Sequence, residues 1–355
     1  MVRRIVTRLP TALRAVIRDP IVPAPPRMLT RVMDLAVQLA GQPAPQLIKL
    51  AQTAEEQGFS SVYVPDHFAN EPPGSGQLDE TIMQEALAML GGMAASTKRV
   101  RLGGHVLCNL FRHPALTAQA IGTIDQISGG RAVLGIGAGW TKNEFAMTGI
   151  DFPDIKPRLR MLDESTRIMK SLWTENRTTF DGEFYQLKDA FITSKPVTKP
   201  HPPVVMGGSG KGLLRIAARE ADVVNIIIDI GKAGTALPSE MAKLTEDGFR
   251  AKVDFVREEA HKHGRTLTIS TTVFVPFLAE NEEAGIQMAD ELAAGFGLTG
   301  DQARRMPLAL IGTPDECVSE LKRREREWGV EHLILSGGAS ADTIVRFGQE
   351  IIPNV

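Results

Sequence analysis

His67 closes the run Val64-Pro65-Asp66-His67. An imidazole beside a carboxylate at the end of an apolar strand is a pairing suited to proton transfer near neutral pH, with Asp66 setting the tautomer and basicity of His67. The competing reading is an exposed loop histidine. A second cluster is Gly135-Ile136-Gly137-Ala138-Gly139-Trp140, followed by Lys142, Asn143 and Glu144. Glycines at alternate positions let a flat ligand approach the backbone, or else make a tight strand exit. The dinucleotide spacing G-x-G-x-x-G fails, because Trp140 ends it when counted from Gly135 and Lys142 ends it when counted from Gly137. A third cluster is Gly207-Gly208-Ser209-Gly210-Lys211-Gly212, opening a helix that carries Arg215. Free N–H groups and the positive helix end make an anion cradle there, suited to a phosphate with Lys211 as counter-charge; the alternative is a plain flexible turn. It is not a Walker loop, since Leu213 and Leu214 follow the last glycine where Lys and Ser/Thr would stand. Cys108 lacks a partner at zinc spacing and reads as a packing residue, so no metal is expected.

These clusters need a scaffold, and the chain supplies one by alternating short β-branched runs with longer amphipathic segments, the pattern of repeated βα units. Strands are expected over Val32–Leu39, Ser61–Pro65, Val100–Leu107, Arg131–Ala138, Pro203–Gly207, Asp222–Ile227, Leu267–Phe274 and Glu331–Leu335. Eight such units without a linker-like change of composition predict a closed (β/α)8 TIM barrel over residues 31–355 rather than a doubly wound open sheet. The active site of a barrel lies at the C-terminal strand ends, where the three clusters fall. The surplus over a minimal barrel of about 250 residues falls in Phe68–Leu78, Thr174–Thr198, Asp229–Asp247 and Gly295–Gly312, which are candidate lids. Residues 1–30 are basic and Pro-rich at their exit and read as a loosely ordered extension outside the fold.

The 355 residues carry a formal charge of -2, which gives no electrostatic footprint for nucleic acid. Two widely spaced cysteines match no disulfide framework and point to a reducing cytoplasm. The longest apolar runs, such as Val223–Ile228, are too short to cross a bilayer.

From about Met33 onward the chain resembles the luciferase-like flavin and deazaflavin-dependent oxidoreductases. The resemblance rests on Phe111-Arg112-His113-Pro114, Thr123-Ile124-Asp125, Ser128-Gly129-Gly130-Arg131 and Leu134 to Trp140 with Asn143-Glu144, then Leu172-Trp173 and Thr179 to Tyr185. Val64-Pro65-Asp66-His67 looks like the subgroup that uses coenzyme F420. The resemblance implies a non-prolyl cis peptide between His105 and Val106, forming with Leu107 a bulge under the cofactor ring. It also implies contacts from Ala138, Gly139 and Trp140, a ring hydrogen bond from Asn143, a phosphate on Gly207, Gly208 and Ser209, and a catalytic His67. The deazaflavin-dependent sugar-phosphate dehydrogenases place a glutamate acid where Trp140 stands, so a more apolar substrate is expected and the acid role has no owner; Glu144 is expected to point away. The implied function is hydride transfer between coenzyme F420 and an apolar small molecule. The alternatives are an FMN-dependent monooxygenase fed by a separate reductase, and a non-catalytic cofactor-binding barrel. Relatives of this type commonly form homodimers.

Overall fold

The computed structural model describes residues 33–227, 238–337 and 340–355; the extension 1–30 and part of the 229–247 insertion lie outside the described residues. In chain order the elements are β1 (Asp34–Gln38), α1 (Ala44–Glu56), β2 (Ser61–Val64), α2 (Ala86–Ser96), β3 (Arg101–Gly104), β4 (Leu107–Cys108), α3 (Pro114–Ser128) and β5 (Ala132–Gly137). There follow α4 (Lys142–Thr148), α5 (Ile155–Thr174), β6 (Thr178–Asp181), β7 (Gln186–Ala190), β8 (Val204–Gly207), α6 (Lys211–Glu220), β9 (Val223–Ile226) and α7 (Pro238–Met241). The chain ends with α8 (Glu246–Lys262), β10 (Thr268–Val273), β11 (Val275–Leu278), α9 (Glu282–Phe296), α10 (Gly300–Arg305), β12 (Ala309–Gly312), α11 (Pro314–Trp328), β13 (Val330–Leu335) and α12 (Ala341–Arg346). No helix among the described residues is long and apolar enough to cross a membrane.

The order β3-β2-β1-β13-β10-β9-β8-β5-β4, with β3 also paired to β5, closes a parallel barrel in which β3 and β4 are two halves of one interrupted strand. The barrel is therefore built from eight strands, as the alternation of runs predicts. Punctuation in the sequence sets the helix ends. Pro114 opens α3 and Gly129, at φ 70°, closes it in the left-handed region; Thr313 and Glu316 form a capping box at α11, which Gly329 ends at φ 66°. Of the extra elements, β6 and β7 form an antiparallel hairpin within the predicted 174–198 insertion, whereas the other insertion starts earlier than the predicted 295–312, since β11 and most of α9 precede that range and β12 at its end pairs with β11.

Strand alternation divides the core into two shells. Leu35, Val37, Leu102, Leu134, Met206 and Leu333 join the large cluster beneath the helices. Ala36, Tyr63, Val133, Val205, Val223 and Ile334 form a separate buried cluster inside the barrel. The interior also carries a polar network. His105 Nε2 lies 3.1 Å from Asn225 Oδ1 and 3.2 Å from Thr272 Oγ1, Asn225 Nδ2 donates to Ser270 Oγ, and Ser270 Oγ lies 2.9 Å from His332 Nδ1. Burial pushes the His105 and His332 imidazoles down to about 4 and about 3, so both are neutral near pH 7. Neutral rings keep this network free of a buried charge, although His105 Nδ1 is left without a hydrogen-bond partner.

Candidate active site

Between the pairings Gly103↔Val133 and Leu107↔Ile136 one strand advances four residues while its neighbour advances three. The extra residue is a bulge, and the His105–Val106 peptide inside it is cis. Gln38 Nε2 holds the His105 carbonyl at 2.9 Å. The glycines of β5 make this bulge possible. A Cβ on Gly135 would lie 1.8 Å from the Gly104 carbonyl oxygen, and one on Gly137 would lie 2.7 Å from Val106 Cγ2. Gly207 gives the same side chain room, its Cβ position being 3.1 Å from Val106 Cγ1. Alternating glycines in β5 thus admit the bulge and Val106, where the sequence suggested direct approach of a ligand.

His67 leaves β2 beside this floor. Its Nδ1 lies 2.7 Å from Glu144 Oε2, and its ring meets the indole of Trp140 edge-on at 5.6 Å between centroids. Glu144 is 1% exposed and its other oxygen accepts from Phe68 N at 2.6 Å and Ala69 N at 3.1 Å. Burial alone would raise the Glu144 carboxyl, but the His67 imidazole and the Ala69 and Phe68 N–H groups outweigh it and hold it below the usual carboxylate range. An ionised Glu144 accepts a proton-bearing Nδ1 and leaves Nε2 toward the site, since each neutral ring offers one donor and one acceptor.

Two expectations are corrected here. Glu144 does not point away; it is the carboxylate that holds His67. Asp66 does not set the tautomer of His67, because its oxygens accept from Arg112 Nη1 at 2.7 Å, Arg112 Nη2 at 2.8 Å and Cys108 N at 2.8 Å. Arg112 also reaches Glu85 at the head of α2, so Asp66 ties β2, β4 and α2 together behind the site. Cys108 is buried, its thiol pushed up to about 12 by desolvation, which fits the packing role read from sequence.

Asn143 lies on the first turn of α4, and its Nδ2 donates to Glu71 Oε2 at 2.9 Å and Gly76 O at 3.0 Å. Both donors are committed to the 68–78 insertion, so a ring donor would meet only Oδ1. That insertion is closed at its neck by the Asn70↔Asp79 bridge and packs the exposed ring of Phe68 on Phe111 at 4.9 Å. Its carboxylate and aromatic contacts come from elements far apart in sequence.

The turn after β8 has the features of an anion site. Gly208 sits at φ 152°, Gly210 caps α6 without a side-chain bond, and Ser209 Oγ is buried with no hydrogen-bond partner. A phosphate on the open N–H groups of α6 would give that hydroxyl its partner, so the residues fit a phosphate-bearing ring cofactor lying over the bulge. Lys211, read from sequence as its counter-charge, has its Nζ 5.5 Å from the centre of the Phe255 ring. Lys252, which sequence reasoning missed, donates to Ser209 O at 3.1 Å.

A barrel with a bulged third strand, a histidine at the second strand end and a glycine turn after the fifth defines a class of redox enzymes, and the chain belongs to the luciferase-like monooxygenase family, whose model matches residues 28–332. The chain is 40% identical over 279 residues, 78% of its own length and 77% of the relative's, to the F420-dependent glucose-6-phosphate dehydrogenase of Kineococcus radiotolerans. It is also 29% identical, over 69% of its length and 61% of the relative's, to the FMNH(2)-dependent dimethylsulfone monooxygenase of Pseudomonas putida. The coenzyme F420-dependent tetrahydromethanopterin reductase of Methanopyrus kandleri shares the fold with a TM-score of 0.69 at 20% identity, over 90% of this chain and 99% of the other.

Proposed function

We propose that this chain is a coenzyme F420-dependent oxidoreductase acting on a small molecule with a largely apolar body, in which His67 moves the proton that accompanies hydride transfer. The observation that carries the proposal is the pairing of buried Glu144 with half-buried His67 at 2.7 Å, beside a floor and an anion cradle that suit a phosphate-bearing flat ring. When bound, the deazaflavin supplies the hydride acceptor or donor. In the oxidation direction the substrate carbon gives up a hydride, and His67 Nε2 takes the proton from its oxygen or nitrogen. Glu144 holds the ring through Nδ1 and stabilises the imidazolium that forms. Val106, Leu107, Ala138, Gly139 and Trp140 would hold the ring of the cofactor, and Gly207, Gly208 and Ser209 would hold its phosphate. Trp140 and Phe68 keep water from the reacting atoms. The proposal includes a cytoplasmic setting, a separate reductase that regenerates the reduced cofactor, and pairing into a homodimer.

Titrating the protein with coenzyme F420 and with FMN, each followed by fluorescence, is the test. Preferential uptake of F420, with F420-linked turnover lost in His67→Ala, supports the proposal. Preferential uptake of FMN with oxygen consumption in the presence of an NADPH-driven reductase replaces it with a monooxygenase. Tight binding without turnover replaces it with a cofactor carrier.

A further inference from the structure

Three buried carboxylates lie within or against the segment from Asp66 to Glu71 among the described residues, and one of them keeps an oxygen without a hydrogen-bond partner. Glu144 is filled by His67, Phe68 N and Ala69 N, and Asp66 by Arg112 and Cys108 N. Glu71 Oε2 accepts from Asn143, but Glu71 Oε1 is buried without any partner. Glu71 is also out of keeping with its surroundings. It is 5% exposed, while positions 72–80 that follow it are exposed or half-exposed. A flap that turns its prolines, glycines and polar residues to solvent and a single glutamate inward inverts the usual burial order. An open carboxylate oxygen away from water is costly unless a donor meets it. Asn143 places this oxygen, and the next residue in the chain, Glu144, places His67, so a single turn of α4 fixes both groups.

We infer that Glu71 is a substrate-binding carboxylate: its buried, unpartnered Oε1 accepts a hydrogen bond from a hydroxyl or ammonium group and selects molecules carrying such a donor on an apolar body. The inference rests on the proposed function for where the substrate lies. It also supplies a carboxylate where Trp140 occupies the position at which an acid was expected. Glu71 binds and orients, and the proton still passes to His67.

The test uses cyclohexanol, cyclohexylammonium and methylcyclohexane as probes, matched in bulk and differing in the donor. Each is titrated by saturation-transfer NMR into the full chain, with and without coenzyme F420. The wild type is expected to bind the two donor probes about 10-fold or more tightly than methylcyclohexane. Glu71→Gln can keep the Asn143 bond through its carbonyl while presenting NH2 at the open position, so that preference is expected to fall to within about 3-fold. Glu71→Ala should lose it too, with methylcyclohexane binding unchanged as the control for folding. Equal binding of the three probes by wild type, or a preference that survives in both variants, overturns the inference. Cofactor uptake is read in the same samples: a chain that takes up no cofactor defeats the proposed function, whereas a cofactor-loaded chain with an unaltered probe preference defeats Glu71 alone.

Discussion

Replacing Glu144 by Gln isolates the tautomer of His67 from everything else the carboxylate does. The Gln carbonyl can still accept from Phe68 N and Ala69 N, which lie 2.6 Å and 3.1 Å from the Glu oxygen. The amide NH2 then faces His67 Nδ1 at the 2.7 Å position, donor against donor. The ring must move its proton to Nε2, the atom from which the proposed mechanism needs a free lone pair. A wrong-tautomer histidine lowers kcat by about 10²- to 10⁴-fold when an acceptor partner is replaced by its amide. The folding cost is smaller. One charge-assisted hydrogen bond is worth about 1.5–3 kcal/mol, and the 25% exposure of His67 lowers that to about 1 kcal/mol. Because the Glu144 pKa is depressed in the fold, this contribution is present above the ordinary carboxylate pKa and disappears as pH falls through the lower folded value. The assay pairs F420-linked turnover with ¹⁵N NMR of the His67 ring nitrogens and thermal melting across pH 3 to pH 7. A Gln variant that keeps kcat within about 3-fold of wild type, with its proton still on Nδ1, refutes the reasoning.

Three further outcomes are expected. His105 and His332, lowered to about 4 and about 3, stay neutral in the fold while the unfolded chain takes up protons near pH 6.5. Stability should therefore fall as pH drops from about 6.5 toward 4, by several kcal/mol in all, and His332→Gln should flatten that slope in pH-dependent urea melts; an unchanged slope rejects the assignment. Gly135→Ala would set a Cβ 1.8 Å from the Gly104 carbonyl oxygen and should cost more than about 3 kcal/mol or prevent folding. Gly91→Ala, in α2 with nothing within 4 Å, should be neutral or gain up to about 1 kcal/mol, and equal melting temperatures for the two would contradict the bulge argument. Asp66→Asn should destabilise the fold by about 2–4 kcal/mol through the weakened Arg112 pair yet leave the His67 tautomer as it is; a shift in the NMR tautomer signal larger than that of Glu144→Gln would return Asp66 to the role first read for it.

Much of the scaffold was legible because it is encoded locally. Side-chain alternation and turn residues placed all eight barrel strands, and Pro114 and Gly129 marked both ends of α3. The resemblance block pointed to the right region but mixed two kinds of residue. Asp125 and Arg131 within it are structural: Asp125 accepts from Ala132 N and Thr198 N, and the buried Arg131 guanidinium donates to the Ala94, Thr97 and Val100 carbonyls. Asp66, adjacent to His67 in sequence, turned out to serve Arg112 instead.

What the sequence determined by itself was the order of βα units, their punctuation and the strand tips at which polar residues collect, since each follows from spacing within a dozen residues. What the tertiary structure decided was which groups meet. Consecutive residues at a strand exit point in different directions, so Asp66 and His67 part company, while barrel closure carries Glu144 across 77 positions of chain to His67 Nδ1. The same closure turns Glu71 inward, because a flap's orientation is set by the helix it docks against and not by its own residues.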